Sequence, residues 1–256
     1  MNHNLEAVQR FSNRVENYIK YRPGYPQAII PYLQEYAGLH PGMEIADIGA
    51  GTGILSKMFL DHGCRVSAIE PNDEMRAAAE KFLAGRPQFT SIGASAEATT
   101  LPDKSVDLIA AGQAYHWFDR ERSKIEFHRI LKPDGSMLLL WNTRDDTDPF
   151  IQAFEALTQE FALDYKQTSH TRIDKTRDLA DFFSPGVLHQ AAFENQQVFD
   201  LQGLTGRLLS SSYAPLPDHP NHTPMLAALK ELFNRSQSGG QVTFRYITQL
   251  YWTRIA

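Results

Sequence analysis

Residues 44–53 read EIADIGAGTG: an apolar run carries an acid near its end, and glycine then occupies every second position from 49 to 53. Twenty-one residues after Gly49, a second apolar run, CRVSAIE, ends on Glu70. Doubly wound sheets bind nucleosides at a site with four parts: a buried strand, a loop too tight for side chains, a helix that starts where the loop ends, and a carboxylate on the next strand. Because the acid in such sites binds ribose hydroxyls, we expect a nucleoside cofactor here.

The spacing of this loop discriminates between cofactors. A dinucleotide fingerprint is G-x-G-x-x-G, with the pyrophosphate at the helix N-terminus. Here the third glycine comes one residue early, and Ile54 occupies the dinucleotide position. Asp47 would repel a pyrophosphate but attract a cation in a partly dehydrated cleft. S-adenosylmethionine has a ribose for Glu70, an ammonium for the acidic loop and no phosphate, so D-x-G-x-G-x-G favours it over NAD. A tight turn without a ligand would require neither acid.

Composition narrows the class of protein. The chain has 256 residues, 42% hydrophobic and 21% charged, which is enough to bury a large core as one domain. A net charge of −5 and the lack of a dense Lys/Arg run give no electrostatic reason to expect nucleic acid. The single cysteine, Cys64, provides neither a disulfide nor a thiol zinc site, so no metal is expected.

The sequence also lacks targeting features. The opening residues MNHNLEAVQR have no apolar core of the kind that a signal peptide needs. No apolar run approaches the roughly 18–20 residues that span a bilayer. We therefore expect a cytoplasmic protein without a membrane partner.

A regular alternation of strands and helices positions the glycine loop. Short apolar runs predict strands, and amphipathic stretches between them predict helices, as in a parallel sheet covered on both faces. Asn72 is the predicted N-cap of the second helix. The βαβ order implies a right-handed, doubly wound parallel sheet. The predicted strands are 43–48, 64–70, 89–93, 106–112 and 136–142, and the helices are 53–62, 73–84 and 119–131.

The pattern changes after residue 142. HQAAFENQQVFD and VTFRYITQLYWTRI alternate like strands with one exposed face, which predicts an antiparallel pair at the edge of a seven-stranded, Rossmann-like sheet. Helical insertions are predicted at 150–163, in TRDLADFF, at 205–212 and at 224–235, and a loop at 164–175. We interpret 1–256 as one domain, with N-terminal lid helices at 1–40, a cofactor-binding core at 41–142, and substrate-side helices with the last two strands at 143–256.

These elements together resemble the class I S-adenosylmethionine-dependent methyltransferases, within them the small-molecule branch known as methyltransferase type 11. An N-terminal stretch, YIKYRPGYP at 18–26, also resembles the lid that these proteins place ahead of the core. The motifs that carry the resemblance stand in the family's order: DIGAGTG at 47–53, IEPNDEM at 69–75, GASAE at 93–97, LPDKSVDLI at 101–109, AYHWFD at 114–119 and LKPDGSMLLL at 131–140.

The resemblance implies a set of cofactor-binding residues. Asp47 would reach the amino group of the methionine part, Glu70 would take both ribose hydroxyls, and Met75 would pack on the ribose or adenine unless it belongs to the core. The whole set is Tyr18, Arg22, Asp47, Gly49, Ala50, Gly51, Gly53, Glu70, Pro71, Met75, Ser95, Ala96, Ala111 and Gln113.

The remaining members of the set have narrower roles. Ser95 stands where the family often has an acid that bonds the adenine amino group, so it keeps an acceptor but lacks the charge. The Ala96 amide would meet an adenine ring nitrogen, and Ala111 and Gln113 would border the methyl and amino ends. Tyr18 and Arg22 belong to the lid; a guanidinium can hold a carboxylate by two hydrogen bonds.

His116 is the candidate catalytic residue. It follows the fourth strand, at the edge where open α/β sheets bind ligands, and its titration range suits a base near neutral pH. Alternatively, the HWF sequence packs this loop onto the following helix.

We therefore expect methyl transfer from S-adenosylmethionine to a small-molecule acceptor, with S-adenosylhomocysteine as the product. Two alternatives are a non-catalytic protein that binds S-adenosylmethionine, and an NAD-dependent oxidoreductase. Residues 145–240 are expected to roof the acceptor pocket, with apolar walls and polar anchors among Trp141, Phe150, Phe154, His170, Arg172, Arg207 and Tyr213.

Overall fold

The computed structural model of the chain describes residues 19–161, 163, 175–184, 186–211 and 213–254. Tyr18, His170, Arg172 and nearly all of the predicted 164–175 loop lie outside these residues. The strands are β1 Glu44–Ile48, β2 Arg65–Ile69, β3 Phe89–Ile92, β4 Val106–Gly112, β5 Leu131–Arg144, β6 His189–Phe199 and β7 Val242–Arg254. The helices are α1 Ile29–Ala37, α2 Ile54–Asp61, α3 Asp73–Phe82, α4 Arg120–Ile130, α5 Pro149–Phe161, α6 Lys175–Phe183, α7 Leu201–Leu209 and α8 His222–Ser236.

The strands form one seven-stranded sheet in the order β3-β2-β1-β4-β5-β7-β6. Strands β1 to β5 run parallel, with β1 central between β2 and β4. β7 pairs antiparallel with both β5 and β6. The predicted doubly wound sheet with an antiparallel edge pair is therefore confirmed, and the strand order reverses between β1 and β4, where such sheets bind ligands.

Apolar clusters cover both faces of the sheet, and alternate residues of β5 show why. Leu138 and Leu140 enter a cluster with α1 and α2, whereas Met137, Leu139 and Trp141 enter a cluster with α4 and α6. Side chains of a strand alternate between faces, so a strand covered on both sides is apolar throughout. A third cluster joins α5, α7 and α8 to the start of β7.

Two elements differ from the predictions by more than two residues at a boundary. β5 begins at Leu131 rather than 136, because Leu131 already pairs with Val106 ahead of an irregularity at Pro133–Gly135. The helix predicted at 205–212 spans Leu201–Leu209, where the Asp200 side chain accepts a hydrogen bond from the backbone of Gly203 and caps it. In the described part of the chain, no helix is both long and apolar enough to cross a membrane.

Candidate active site

The glycine loop connects β1 to α2 in a conformation that few other residues adopt. Gly49, Gly51 and Gly53 have φ angles of +68°, +56° and +81°. The backbone N–H groups of Gly49 and Ala50 both donate to the carbonyl of Ile69, at 2.8 and 3.1 Å, which ties the loop to the end of β2. A Cβ on Gly49 would lie 2.6 Å from that of Ala114, whereas one on Gly51 would meet nothing within 4 Å. The loop is thus packed on one side and open on the other.

Glu70 lies directly after β2 and is oriented by two backbone groups. Its Oε2 accepts from the N–H of Gly51 at 2.8 Å, and its Oε1 accepts from the N–H of Asn72 at 2.9 Å. Burial raises the pKa of this carboxyl above its usual range, against the effect of both hydrogen bonds. A carboxylate oxygen has more than one lone pair, so Glu70 can still accept hydroxyl protons beside the loop.

Asp47 lies beneath the same loop and is fully buried. The Ser56 hydroxyl donates to its Oδ2 at 2.6 Å, while no described residue supplies a hydrogen bond to Oδ1. Burial raises the pKa of Asp47 to about 7. An unsatisfied buried oxygen is costly, and a ligand ammonium is the kind of group that would satisfy it. The hydroxyl of Thr52, in the loop itself, is also buried without a partner among the described residues.

The start of α3 is held as predicted. Asn72 Oδ1 accepts from the N–H groups of Glu74 and Met75, both at 3.0 Å, which confirms the N-cap. Met75 is buried in the first turn of the helix, and Pro71, which follows Glu70 in the chain, is exposed.

Ser95 and Ala96 lie on a loop that α4 holds in place. Ser95 forms a short bridge with Ala98, and Thr99 donates to Glu126 Oε1 through both its N–H, at 2.7 Å, and its hydroxyl, at 2.5 Å. Hydrogen bonds from Arg129 and Thr99 hold the pKa of Glu126 at about 2, so this anchor stays ionised at neutral pH. Ala96 is buried. Contacts with α4 thus fix the loop.

Ala111 and Gln113 lie at the carboxyl end of β4. Gln113 has a φ of +60°, an uncommon conformation for a residue other than glycine, and its side chain donates to the carbonyl of Asn142 at 3.0 Å. Between them, Gly112 leaves room for the N-terminal segment, since a Cβ there would lie 2.2 Å from the Tyr25 hydroxyl.

The N-terminal segment 21–26 is docked on the last strands of the sheet. The carbonyl of Gly24 accepts from the side-chain amides of Asn142, at 3.1 Å, and Asn195, at 2.9 Å. Gln197 donates to the carbonyl of Tyr21 at 3.3 Å. The sequence predictions missed these three amide side chains, although Asn195 and Gln197 stand two residues apart, on one face of an alternating strand.

Arg22 projects from this segment toward α7. Its Nη2 donates to the carbonyl of Ser210 at 2.9 Å. The segment therefore reaches from the end of β4, through Tyr25, to the end of α7, through Arg22.

His116 lies in a 3-10 turn, Tyr115–Trp117, that follows β4. Its ring is half-buried, with its centroid 4.7 Å from that of Trp117. The neighbouring Tyr115 is buried and packs edge-on against Trp141 and Phe182. Tyr115 anchors the turn, and His116 follows it just beyond the carboxyl end of β4, two residues after Ala114, which faces Gly49 of the glycine loop.

Fold and site together indicate a class of enzyme. The class I methyltransferase architecture is a doubly wound sheet with a glycine loop after β1, an acid after β2 and an antiparallel β7 inserted beside β5. Residues 46–139 match the family "Methyltransferase domain", type 11. Residues 46–139 thus carry a methyltransferase domain, and together with the relatives and solved structures below they support a class I S-adenosylmethionine-dependent methyltransferase of the type 11 branch.

Individual relatives are likewise described as methyltransferases. The chain is 27% identical over 245 residues to an uncharacterised methyltransferase of Schizosaccharomyces pombe, covering 94% of this chain and 95% of that one. It is 37% identical over 136 residues to an uncharacterised methyltransferase of Mycobacterium tuberculosis, covering 53% of each. Among solved structures, a protein described as a type II methyltransferase from Anaeromyxobacter dehalogenans has a TM-score of 0.66 at 22% identity, covering 91% of this chain and 97% of that one. A geranyl diphosphate methyltransferase has a TM-score of 0.55 at 13% identity, with full coverage of both chains.

Proposed function

We propose that this chain binds S-adenosylmethionine between Asp47 and Glu70, transfers its methyl group to a small-molecule acceptor and releases S-adenosylhomocysteine. The observation that carries the proposal is the pair of acids on either side of the glycine loop. One is buried with an unsatisfied oxygen, and the other is held by the N–H of Gly51. An ammonium and a ribose diol are the groups that these two acids would bind, and the family's methyl donor has both.

In this proposal the glycine loop and its neighbours bind and orient the donor. Asp47 takes the ammonium, Glu70 takes the ribose hydroxyls, and the open side of Gly51 admits the ligand against the backbone. Met75, Ser95 and Ala96 border the nucleoside, and Ala111 and Gln113 border the methyl end. We propose that the whole chain forms one methyltransferase domain around this site.

The chain's contribution to the reaction is alignment. When bound, the sulfonium donor supplies an electrophilic methyl group and a neutral thioether leaving group. The end of β4 and the turn with His116 would hold the acceptor beside the methyl end of the donor, so that its lone pair could attack the methyl carbon in line with the bond to the leaving sulfur. No residue has to protonate the leaving sulfur. His116 accepts a proton only where the acceptor is a hydroxyl or a carbon acid.

Calorimetric titration with S-adenosylhomocysteine tests the proposal, with NADH titrated in parallel. We expect micromolar binding of S-adenosylhomocysteine, none of NADH, and loss of binding in Glu70→Ala. Thermal unfolding of Glu70→Ala provides the folding control. Failure of cofactor-free protein to bind S-adenosylhomocysteine would contradict the proposal, and tight NADH binding would favour an oxidoreductase instead. Homocysteine release in an acceptor screen then separates an enzyme from a non-catalytic binding protein.

A further inference from the structure

Three arginines converge on the turn that follows α7. Arg22 donates to the carbonyl of Ser210 at 2.9 Å, Arg207 donates to the Ser211 hydroxyl at 3.4 Å, and Arg144 donates to the Tyr213 hydroxyl. Burial alone would raise the pKa of Tyr213, but the nearby arginine charges hold it below its usual value. Arg22, Arg144, Arg207 and Tyr213 are called the arginine cluster below.

Arg207 carries its charge into a buried part of this cluster. Its side chain is 4% exposed, and its Nε donates to the Tyr246 hydroxyl at 2.8 Å. Its guanidinium also lies over the rings of Phe244 and Tyr246, at 5.4 and 5.7 Å from their centroids. All these partners are neutral, as is Ser211; in the described ranges, no carboxylate forms an ion pair with Arg207, whereas Arg144 pairs with Glu155. A buried charge without a counter-charge is strongly unfavourable.

The geometry around Arg207 is also fixed. The Tyr246 hydroxyl that accepts from Arg207 donates in turn to Gln197 Oε1 at 3.0 Å, and Gln197 holds the carbonyl of Tyr21. Cation–π contacts and hydrogen bonds therefore keep the guanidinium in place while leaving its charge unmatched. This is the arrangement that binding an anion requires, since the cost of orienting the cation is met by the fold.

A series of contacts connects the cluster to the end of β4, where the proposed methyl transfer takes place. Gln113, at the end of β4, donates to the carbonyl of Asn142. Arg144 is two residues further along β5, which is roughly 7 Å at a strand's rise. Arg144 pairs with Tyr246 across the sheet, and Tyr246 bonds Arg207. Segment 21–26 also connects the two places, because Tyr25 reaches Gly112 and Arg22 reaches Ser210.

We propose that the methyl acceptor is a small carboxylic acid and that Arg207, within the arginine cluster, holds one of its carboxylates. This inference rests on the proposed function. A guanidinium matches a carboxylate in two parallel hydrogen bonds, which fixes the orientation as well as the position of the bound acid. The acceptor's reacting atom would then lie toward Gln113 and His116. The hydroxyl of Tyr213 borders the same anion.

Calorimetry on the full chain saturated with S-adenosylhomocysteine tests this inference, with succinate as the probe and ionic strength held constant. We expect succinate to bind and its uncharged diamide, succinamide, not to bind. Arg207→Gln should weaken succinate binding roughly tenfold or more, because it removes a charge-assisted hydrogen bond. Arg207→Lys, which retains the charge but loses the fork, should lose part of the affinity. Arg245→Gln is the matched control: Arg245 precedes Tyr246 on β7, is half-exposed and pairs with Asp148 at 3.3 Å, so succinate should bind as in the parent.

Each outcome of these titrations either supports or contradicts the inference. If S-adenosylhomocysteine binds but succinate does not, the carboxylate site is wrong and the proposed methyl transfer stands. If S-adenosylhomocysteine fails to bind the parent protein, the proposed function fails, and this inference fails with it. Equal binding of succinate and succinamide overturns it, as does tighter binding of inorganic phosphate, which would indicate a phosphate ester instead. Should Arg207→Gln not fold, the comparison of succinate with succinamide on the intact protein still decides.

Discussion

Glu70 and Gly51 are joined by a hydrogen bond of 2.8 Å, from the backbone N–H of the glycine loop to the carboxylate that ends β2. The other oxygen of Glu70 accepts from the N–H of Asn72, the N-cap of α3. One side chain thus fixes the loop after β1 and the start of the helix after β2. Glu70 is therefore a structural residue even without a ligand.

Glu70→Gln should weaken both stability and ligand binding. An amide has one oxygen and one NH₂, so one of the two backbone N–H groups would face a donor. The unmet bond should lower the free energy of unfolding by about 1–3 kcal/mol. Urea unfolding measures this loss, and calorimetry measures a parallel loss of S-adenosylhomocysteine affinity. Glu74→Gln, exposed in the first turn of α3, is the control; a fully stable Glu70→Gln would contradict the structural role.

Asp47 should make ligand binding depend on pH. Its pKa is raised to about 7 by burial, so near neutrality much of it is protonated in the free protein. A ligand ammonium favours the carboxylate, and binding therefore releases a proton. The affinity for S-adenosylhomocysteine should rise between about pH 6 and pH 8, approaching tenfold per unit on the acid side. Asp47→Asn should bind weakly and without this slope in calorimetric titrations; an unchanged slope would assign the pH dependence to another group.

The same substitution should stabilise the ligand-free protein. The unfolded chain loses the Asp47 proton near its ordinary pKa of 3.8, well below the folded value. Stability of the parent therefore falls as pH rises from about 4 to about 7. At pH 8, the free energy of unfolding of Asp47→Asn should exceed that of the parent by at most about 4 kcal/mol, and its melting temperature should be higher. Both differences should vanish near pH 4.

Gly49→Ala and Gly51→Ala should have different effects. Both positions have positive φ, which costs an alanine roughly 1 kcal/mol. Only at Gly49 would the added Cβ overlap Ala114, which should bring the loss to about 2–4 kcal/mol in urea unfolding. Gly51→Ala should stay folded but lose S-adenosylhomocysteine affinity, because its methyl group projects into the open side of the loop. Normal affinity in Gly51→Ala would place the ligand elsewhere.

His116→Ala should lower turnover much more than cofactor affinity if the histidine acts as a base. General-base catalysis contributes about 10²–10⁴-fold. Homocysteine release with an acceptor found by screening measures turnover, and calorimetry measures affinity. His128→Ala, exposed on α4, is the matched control. Equal activity in His116→Ala would leave the turn a packing element built on Tyr115.

Asn195→Ala should loosen the N-terminal segment. It removes a hydrogen bond of 2.9 Å to the carbonyl of Gly24 and one of 3.0 Å to Asn142 Oδ1. Proteolysis within residues 20–26 should become faster, and S-adenosylhomocysteine affinity should fall several-fold, since each lost bond is worth about 1 kcal/mol. Gln190→Ala, exposed on the same strand, should leave both unchanged. Protection equal to the parent's would show that other contacts hold the segment.

The sequence predicted the parallel sheet well because apolar runs and glycine punctuation are local signals. The N-cap at Asn72 and the glycine loop before α2 were predicted from local signals as well. The early start of β5 depends on pairing between Leu131 and Val106, which local pattern does not encode. The docking of Gly24 on Asn142 and Asn195 joins residues more than a hundred positions apart, and composition gives no sign of it.

The arginine cluster likewise could not be predicted from the sequence. Arg207 was one of several polar residues that the sequence could name but not place. Its importance comes from the neutral partners around it, Tyr246 and Ser211, which are 39 and 4 positions away along the chain. Burial without a counter-charge is a property of the tertiary structure alone.

The position of β7 has a consequence for how the protein is made. Although it is the last strand in the chain, it lies between β5 and β6. During translation, β6 leaves the ribosome before its neighbour exists, and the segment held by Asn195 and Gln197 has no complete surface to dock on. The parallel half of the sheet can form on the nascent chain, whereas β6 and segment 21–26 can be fixed in place only after residues 242–254 have emerged. A ribosome-stalled intermediate would thus display the glycine loop long before segment 21–26 is docked.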